Sequence, residues 1–76
     1  RSQRRVALST SAMAVLKRLA AVPFIPSASE VVKQFGSDRY WNVLATLHGR
    51  MLVRWDEGGR NVRITRAGRE YLAARR

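Results

Sequence analysis

The sequence predicts a small, mainly helical α+β domain with a three-helix core, a two-stranded β-ribbon and a short C-terminal helix. Three observations predict this fold class. Apolar residues recur at helical spacing before Leu52. Two β-prone runs flank the adjacent glycines Gly58 and Gly59. A threonine then precedes a last short amphipathic run, so the helices and the ribbon are separate in sequence.

The chain has 76 residues, which suits one small hydrophobic core. Residues 1–7 carry Arg1, Arg4 and Arg5 with nothing apolar to hold them before Val6. We interpret these residues as a basic N-terminal arm, for which a frayed tail is favoured over insertion into a DNA minor groove. Residues 8–76 are predicted to form a single domain.

Cap residues predict the first two helices. Ser9 and its neighbours supply N-cap oxygens for a helix over about residues 10–22. Ser27 opens a capping box for a second helix over about residues 28–35. Gly36 can adopt the left-handed conformation that ends this helix.

A third helix is predicted over about residues 38–50, in which 100° per residue divides the side chains into two faces. One face is predicted to be buried and contains Tyr40, Trp41, Leu44, Leu47, His48 and Met51. The other is predicted to contact a polar partner and contains Arg39, Asn42, Thr46, Gly49 and Arg50. Together with the second helix and the glycine turn, this helix forms a helix-turn-helix.

The ribbon is predicted over about residues 52–65, since adjacent glycines allow the positive φ angles of a hairpin turn. Arg54, Arg60 and Arg63 are distributed along it.

Thr65 is predicted to end the ribbon and to cap a last helix over about residues 66–74. Gly68 is unfavourable inside a helix, which indicates a close backbone contact at that position.

Charge is the strongest indication of function. The chain has 15 Lys and Arg against 5 Asp and Glu, a formal net charge of +10. Such a chain attracts polyanions, so nucleic acid is the expected partner and a membrane surface the weaker alternative. The absence of cysteine and the single histidine argue against a metal site and fit a cytoplasmic protein. No nucleophile–base set is evident, so we expect neither an enzyme nor a bound cofactor.

The order of these elements resembles the winged helix-turn-helix domains of bacterial transcription regulators, including the MarR and PadR types, over about residues 8–72. The family's pattern of a recognition helix running into a strand is matched by Leu44, Leu47, Leu52 and Val53. Its L-T-x-x-G signal after the wing is similar to the segment from Ile64 to Glu70. Met51 stands where the family usually has glycine, and the last helix is shorter than the family's dimerisation helices.

The resemblance implies that the third helix enters the major groove of double-stranded DNA, and that the ribbon, as a wing, lies along the backbone or an adjacent minor groove. The groove-facing candidates are Ser37, Arg39, Asn42, Thr46 and Arg50. The candidate wing contacts are Arg54, Arg60 and Arg63. Arg39 could pair with a guanine edge and Asn42 with an adenine edge.

A transcriptional regulator that is associated with the bacterial nucleoid is the implied role. Homodimerisation is left open, and no small-molecule ligand is identified. The alternative is a protein-interaction or assembly module whose basic surface is incidental, using an exposed Trp55 and the last helix. RNA binding is a third hypothesis, and the lack of exposed stacked aromatic residues on a sheet counts against it.

Overall fold

A computed structural model describes residues 8–74, so the predicted basic arm lies outside the described part of the chain. Over this range the fold is mainly helical α+β, which confirms the predicted class. The elements in chain order are α1 (Thr10–Ala21), β1 (Ile25–Ser27), α2 (Ala28–Phe35), α3 (Tyr40–Gly49), β2 (Val53–Asp56), β3 (Arg60–Ile64) and α4 (Arg66–Ala74).

The observed helices lie close to the predicted ones. α2 and α4 have the predicted bounds, whereas α3 is shorter at both ends than the predicted range 38–50. Its start is delayed because the carbonyls of Ser37 and Asp38 accept from the N–H groups of Tyr40 (3.1 Å) and Trp41 (3.0 Å). These bonds span three residues, so a tighter turn precedes the first α-helical residue.

The sheet has one strand more than the sequence predicted. Its antiparallel order is β1-β3-β2, so β1 pairs with the hairpin that β2 and β3 form. Ile25 lies opposite Val62 and Ser27 opposite Arg60. Pro26 between them has no N–H to contribute to a ladder, which is tolerated because β1 is an edge strand.

The core lies between the helices and one face of the sheet, and it is apolar. The side chains with less than 2% of their surface exposed are Val15, Leu16, Leu19, Val31, Leu44, Leu47, Val53 and Val62. No polar or charged side chain is buried in the part of the chain that the structure describes. The described cations therefore all lie where a partner could reach them. None of the helices within residues 8–74 has the length and apolar character needed to cross a bilayer.

Thr65 joins the end of α3 to the start of α4. Its N–H donates to the carbonyl of Leu52 (3.0 Å), and its hydroxyl donates to the carbonyl of Met51 (2.8 Å). The hydroxyl oxygen also accepts from the N–H of Gly68 (3.0 Å), which caps α4 as predicted. Gly68 is buried, and an added Cβ would overlap the carbonyl oxygen of Leu52 and lie 2.6 Å from Ile64 Cγ1. This confirms the close backbone contact predicted at Gly68.

We expect Gly68→Ala to lower the free energy of unfolding by about 1–3 kcal/mol, because the methyl group overpacks this contact. The matched control is Gly49→Ala, at a helical glycine where an added Cβ meets no atom within 4 Å. Alanine should stabilise that position by up to about 1 kcal/mol. Urea unfolding measures both differences, and equal stabilities of the two variants would contradict the packing role of Gly68.

α3 ends in a left-handed residue. Met51 has φ 63°; its N–H donates to the carbonyl of His48 (2.9 Å), and the N–H of Leu52 donates to that of Leu47 (3.0 Å). These two bonds form a Schellman motif, and the side chains of Leu47 and Leu52 both belong to the buried apolar core. Methionine therefore occupies a conformation that glycine adopts more readily.

We expect Met51→Gly to raise the free energy of unfolding by about 0.5–1 kcal/mol. A left-handed non-glycine residue costs roughly 1–2 kcal/mol, part of which the backbone entropy of glycine offsets. The Met51 side chain is 73% exposed, so little packing is lost. Thermal unfolding measures the change, and a lower midpoint for the variant would contradict this interpretation.

Candidate nucleic-acid interface

A short turn joins α2 to α3, and aromatic rings on either side of this turn stack on each other. Gly36 ends α2 with φ 71°, and its N–H donates to the carbonyl of Val32 (2.9 Å). Phe35 at the end of α2 stacks on Tyr40 at the start of α3, with ring centroids 4.8 Å apart. Ser37 lies within the turn, where its hydroxyl accepts from the N–H of Arg39 (3.3 Å). The short turn and the stacked rings therefore fix the position of α3 relative to α2.

The predicted inward face of α3 is only partly correct. Leu44 and Leu47 are buried as expected. Trp41 is 48% exposed and Met51 73% exposed, and His48 is exposed as well. The prediction that these three side chains point into the core was wrong.

The error comes from the rotation of α3 between its neighbours. The buried strip of α3 is centred between Leu44 and Leu47. Val43 packs against the core at the margin of the strip next to Leu47. At about 100° per residue, Trp41 and His48 fall roughly 60° and 40° from Leu44 on the side away from Leu47. They consequently lie at the margin of the strip and not within it. Met51 follows the helix in a left-handed conformation, so the helical angle does not apply to it.

His48 links α3 to the hairpin. Its ring stacks on that of Trp55 in β2, with centroids 4.2 Å apart and an interplanar angle of 20°. Trp55 is half-buried by this arrangement. Trp55 is therefore a packing residue of the hairpin that remains partly accessible.

Arg39 is directed toward α1. Its guanidinium donates to the hydroxyl of Ser11 (2.7 Å) and lies 5.5 Å from the ring centroid of Tyr40. Side-chain hydrogen bonds of Tyr40, first with Ser11 and then with Arg39, lower the pKa of its hydroxyl below the ordinary value. The exposed guanidinium would have to leave Ser11 in order to reach a guanine edge.

Asn42, Thr46 and Arg50 form a row along α3. With the start of α1 they line a shallow groove, so they occupy the α1 side of the exposed helix surface. Arg50 is half-buried, and its guanidinium lies 5.9 Å from the ring centroid of Tyr71, within cation–π range. Tyr71 in turn accepts from the N–H of Leu8 (3.2 Å). The structure thus brings these three predicted residues together along one groove, and Arg39 lies toward the same end of α1 with its guanidinium bonded to Ser11.

The sequence interpretation placed only one member of a second exposed row, Gly49, on the outer face of α3. Trp41, Ala45 and Gly49, which we call the outward strip, are all exposed and are spaced four residues apart. Trp41 was assigned to the core on its hydrophobicity, and Ala45 was assigned to neither face. Their spacing carried a signal, because any helix whose buried strip passes through Leu44 and Leu47 exposes this row.

The predicted wing arginines lie together on the hairpin. Arg54 is directly opposite Arg63 in the β2–β3 pairing, and Arg60 is opposite Asp56. Arg63 forms an ion pair with Asp56 at 3.5 Å. Arg54 and Arg60 are exposed and Arg63 is half-exposed. Two of these cations, Arg63 and Arg54, therefore act on one carboxylate, that of Asp56.

The hairpin turn is attached to the helical core. The carbonyl of Gly59 accepts from the N–H of Ala28, the first residue of α2, at 2.8 Å. Gly58 (φ 82°) and Gly59 (φ 75°) have the positive φ angles predicted for the turn. Asn61 also has a positive φ (54°), at the pairing irregularity beyond the turn. The turn extends only three residues past the paired strands, so the wing is short and anchored.

The Asp56 carboxylate is stabilised in its charged form. Asn61 donates to it at 2.9 Å, and this hydrogen bond, with the positive charges of Arg63 and Arg54, lowers the pKa of Asp56 below its ordinary value of 3.8. Because the pKa is lower in the folded state, the resulting stabilisation is present above about pH 4. It is lost as the pH falls through the folded-state pKa.

We expect Asp56→Asn to remove this acid-dependent part of the stability. Between about pH 5 and pH 2 the urea midpoint should fall less for the variant than for the wild type. Glu57→Gln, in the same turn, controls for the loss of one negative charge. Identical acid dependence in Asp56→Asn and the wild type would contradict the assigned hydrogen bond.

No protein-family model matches this chain, and no significant match is found among curated proteins or solved structures.

Proposed function

We propose that this chain is a DNA-binding winged helix-turn-helix domain that acts as a transcriptional regulator. In this proposal α3 enters the major groove of double-stranded DNA and the β2–β3 hairpin contacts phosphates. A cytoplasmic, nucleoid-associated location follows from that role. No catalytic activity and no cofactor form part of the proposal.

The observation that carries the proposal is the pair formed by Arg54 and Arg63. Like charges directly opposite each other in a sheet destabilise the pairing. Only Asp56 among the hairpin carboxylates forms a described ion pair with either arginine. Arg54 and Arg63 thus place two cations side by side around a single ion-paired carboxylate, and a polyanion would neutralise both.

The position of this pair relative to α3 supports duplex DNA as the polyanion. Arg54 precedes Trp55, and Trp55 stacks on His48 in the last turn of α3. The hairpin that carries Arg54 and Arg63 is thus tied to the last turn of α3. Phosphate contacts from the hairpin would set the register in which α3 meets base edges.

The second candidate is a protein-interaction or assembly module, as the sequence also allowed. Exposed Phe24 (49%) and Met51 (73%) favour it. The half-buried Trp55 offers a protein partner a smaller apolar contact than an exposed tryptophan would. A stable protein complex that is unaffected by Arg54→Gln would support this candidate.

The charge-pair interpretation is tested with Arg54→Gln. We expect weaker binding to every duplex and a decrease of about 1 in the slope of log affinity against log salt concentration. Lys17→Gln, at an exposed position on α1, is the control because it removes the same charge outside the candidate interface. Fluorescence anisotropy with a labelled duplex at several salt concentrations measures both slopes.

Equal effects of Arg54→Gln and Lys17→Gln would contradict the assigned hairpin contact. Absence of any duplex binding at low ionic strength would contradict the proposed function as a whole.

A further inference from the structure

Trp41 lies at the margin of the buried strip of α3 and leaves part of its apolar ring open to a partner. Its indole is 48% exposed, although a tryptophan gains its main stabilisation from burial. The side chain lies beside the α2–α3 turn, in a shallow depression that Lys33, Ser37 and Asp38 also line. Lys33 can meet a phosphate at the edge of this depression, whereas the indole itself is suited to an apolar group of the partner.

Gly49 in α3 is required neither by a positive φ nor by internal packing. Glycine is less favourable than alanine inside a helix, and this residue does not have a positive φ. An added Cβ would meet no atom of the described chain within 4 Å. The contrast with Gly68, where a Cβ would overlap a carbonyl oxygen, is direct. A glycine that neither the backbone conformation nor internal packing requires leaves the helix free to approach an external surface closely.

Trp41 and Gly49 belong to one row. With Ala45 between them they form the outward strip, which ends at the Schellman motif before the hairpin. The strip offers a single hydrogen-bond donor, the indole N–H of Trp41. It is therefore poorly equipped for the paired hydrogen bonds by which arginine and asparagine recognise guanine and adenine.

The chemistry of the major groove supplies a matching partner. Besides hydrogen-bonding edges, the groove presents one apolar group, the C5-methyl of thymine. The strip is apolar, whereas Lys33 near one end and Arg54 beyond the other are exposed cations suited to phosphates. The combination of an apolar row and flanking cations fits duplex DNA that contains thymine at the contacted step.

We propose that α3 meets the major groove with the outward strip, that Gly49 and Ala45 allow close approach, and that Trp41 contacts the C5-methyl group of a thymine. This inference rests on the proposed function and adds the specificity-determining residue. Asn42 and Thr46 then flank the contact on the α1 side, and Arg39 keeps its hydrogen bond to Ser11.

The first test uses a duplex selected from a random pool by the wild-type domain at moderate salt. Each thymine in the selected site is replaced in turn by deoxyuridine, which lacks only the C5-methyl group. At least one replacement should weaken wild-type binding by roughly threefold to tenfold. Trp41→Ala and Trp41→Gln should bind the thymine and deoxyuridine duplexes equally, with their folding checked by thermal unfolding.

The second test uses Gly49→Met, which adds a long uncharged side chain to the outward strip. We expect duplex affinity to fall at least tenfold, while the unfolding midpoint stays at or above that of the wild type. Ala73→Met, at an exposed position on α4, is the matched control and should leave affinity unchanged.

The outcomes separate this inference from the proposed function. Duplex binding that is indifferent to every deoxyuridine replacement, or that shows no sequence preference, overturns the thymine contact and leaves DNA binding in place. Wild-type affinity in Gly49→Met overturns the close approach of the outward strip. Failure of the wild type to bind any duplex at low ionic strength overturns both.

Discussion

The junction centred on Thr65 is the constraint on which the rest of the structure depends. Its backbone N–H and its hydroxyl bind two consecutive carbonyls after α3, and the same hydroxyl oxygen caps α4. Gly68 then packs directly on the carbonyl oxygen of Leu52. The end of α3, both ends of the hairpin and the start of α4 therefore meet at one place. A chain this small buries limited apolar surface, so such a junction gives the hairpin an orientation that the core alone would fix less well.

Two features of the surface around this junction, the cations of the hairpin and the exposed row on α3, are not part of the apolar core. The described interior contains no charged group, so the cations have no part in core packing. On the hairpin, however, Arg54 faces Arg63 across the strands, and one carboxylate, Asp56, forms an ion pair with the second of them. On α3, Trp41 is left exposed and Gly49 has no packing partner. A bound polyanion with apolar groups in a groove would account for the paired cations, the exposed indole and the helical glycine together.

Local signals allowed much of the fold to be predicted from the sequence. Caps such as Ser27 and Thr65 act within three residues, which is why the bounds of α2 and α4 agreed with expectation. The environment of Trp41 depends instead on how α3 rotates between α1 and α2, and hydrophobicity alone does not determine that rotation. The hydrogen bond from Arg39 to Ser11 joins residues 28 positions apart, so no local pattern could indicate it. The candidate site was consequently predicted as a region, whereas its individual contacts were not.

The central claim is that the exposed side of α3 and the outer hairpin face form one DNA-binding surface. Its most direct test is an NMR titration of the ¹⁵N-labelled domain with a selected duplex. The account predicts that backbone amides around Ala45 and Gly49 and around Arg54 and Arg63 shift together at one saturating concentration, while those around Lys17 on α1 do not. Shifts concentrated on α1, or shifts of the hairpin without α3, would contradict it.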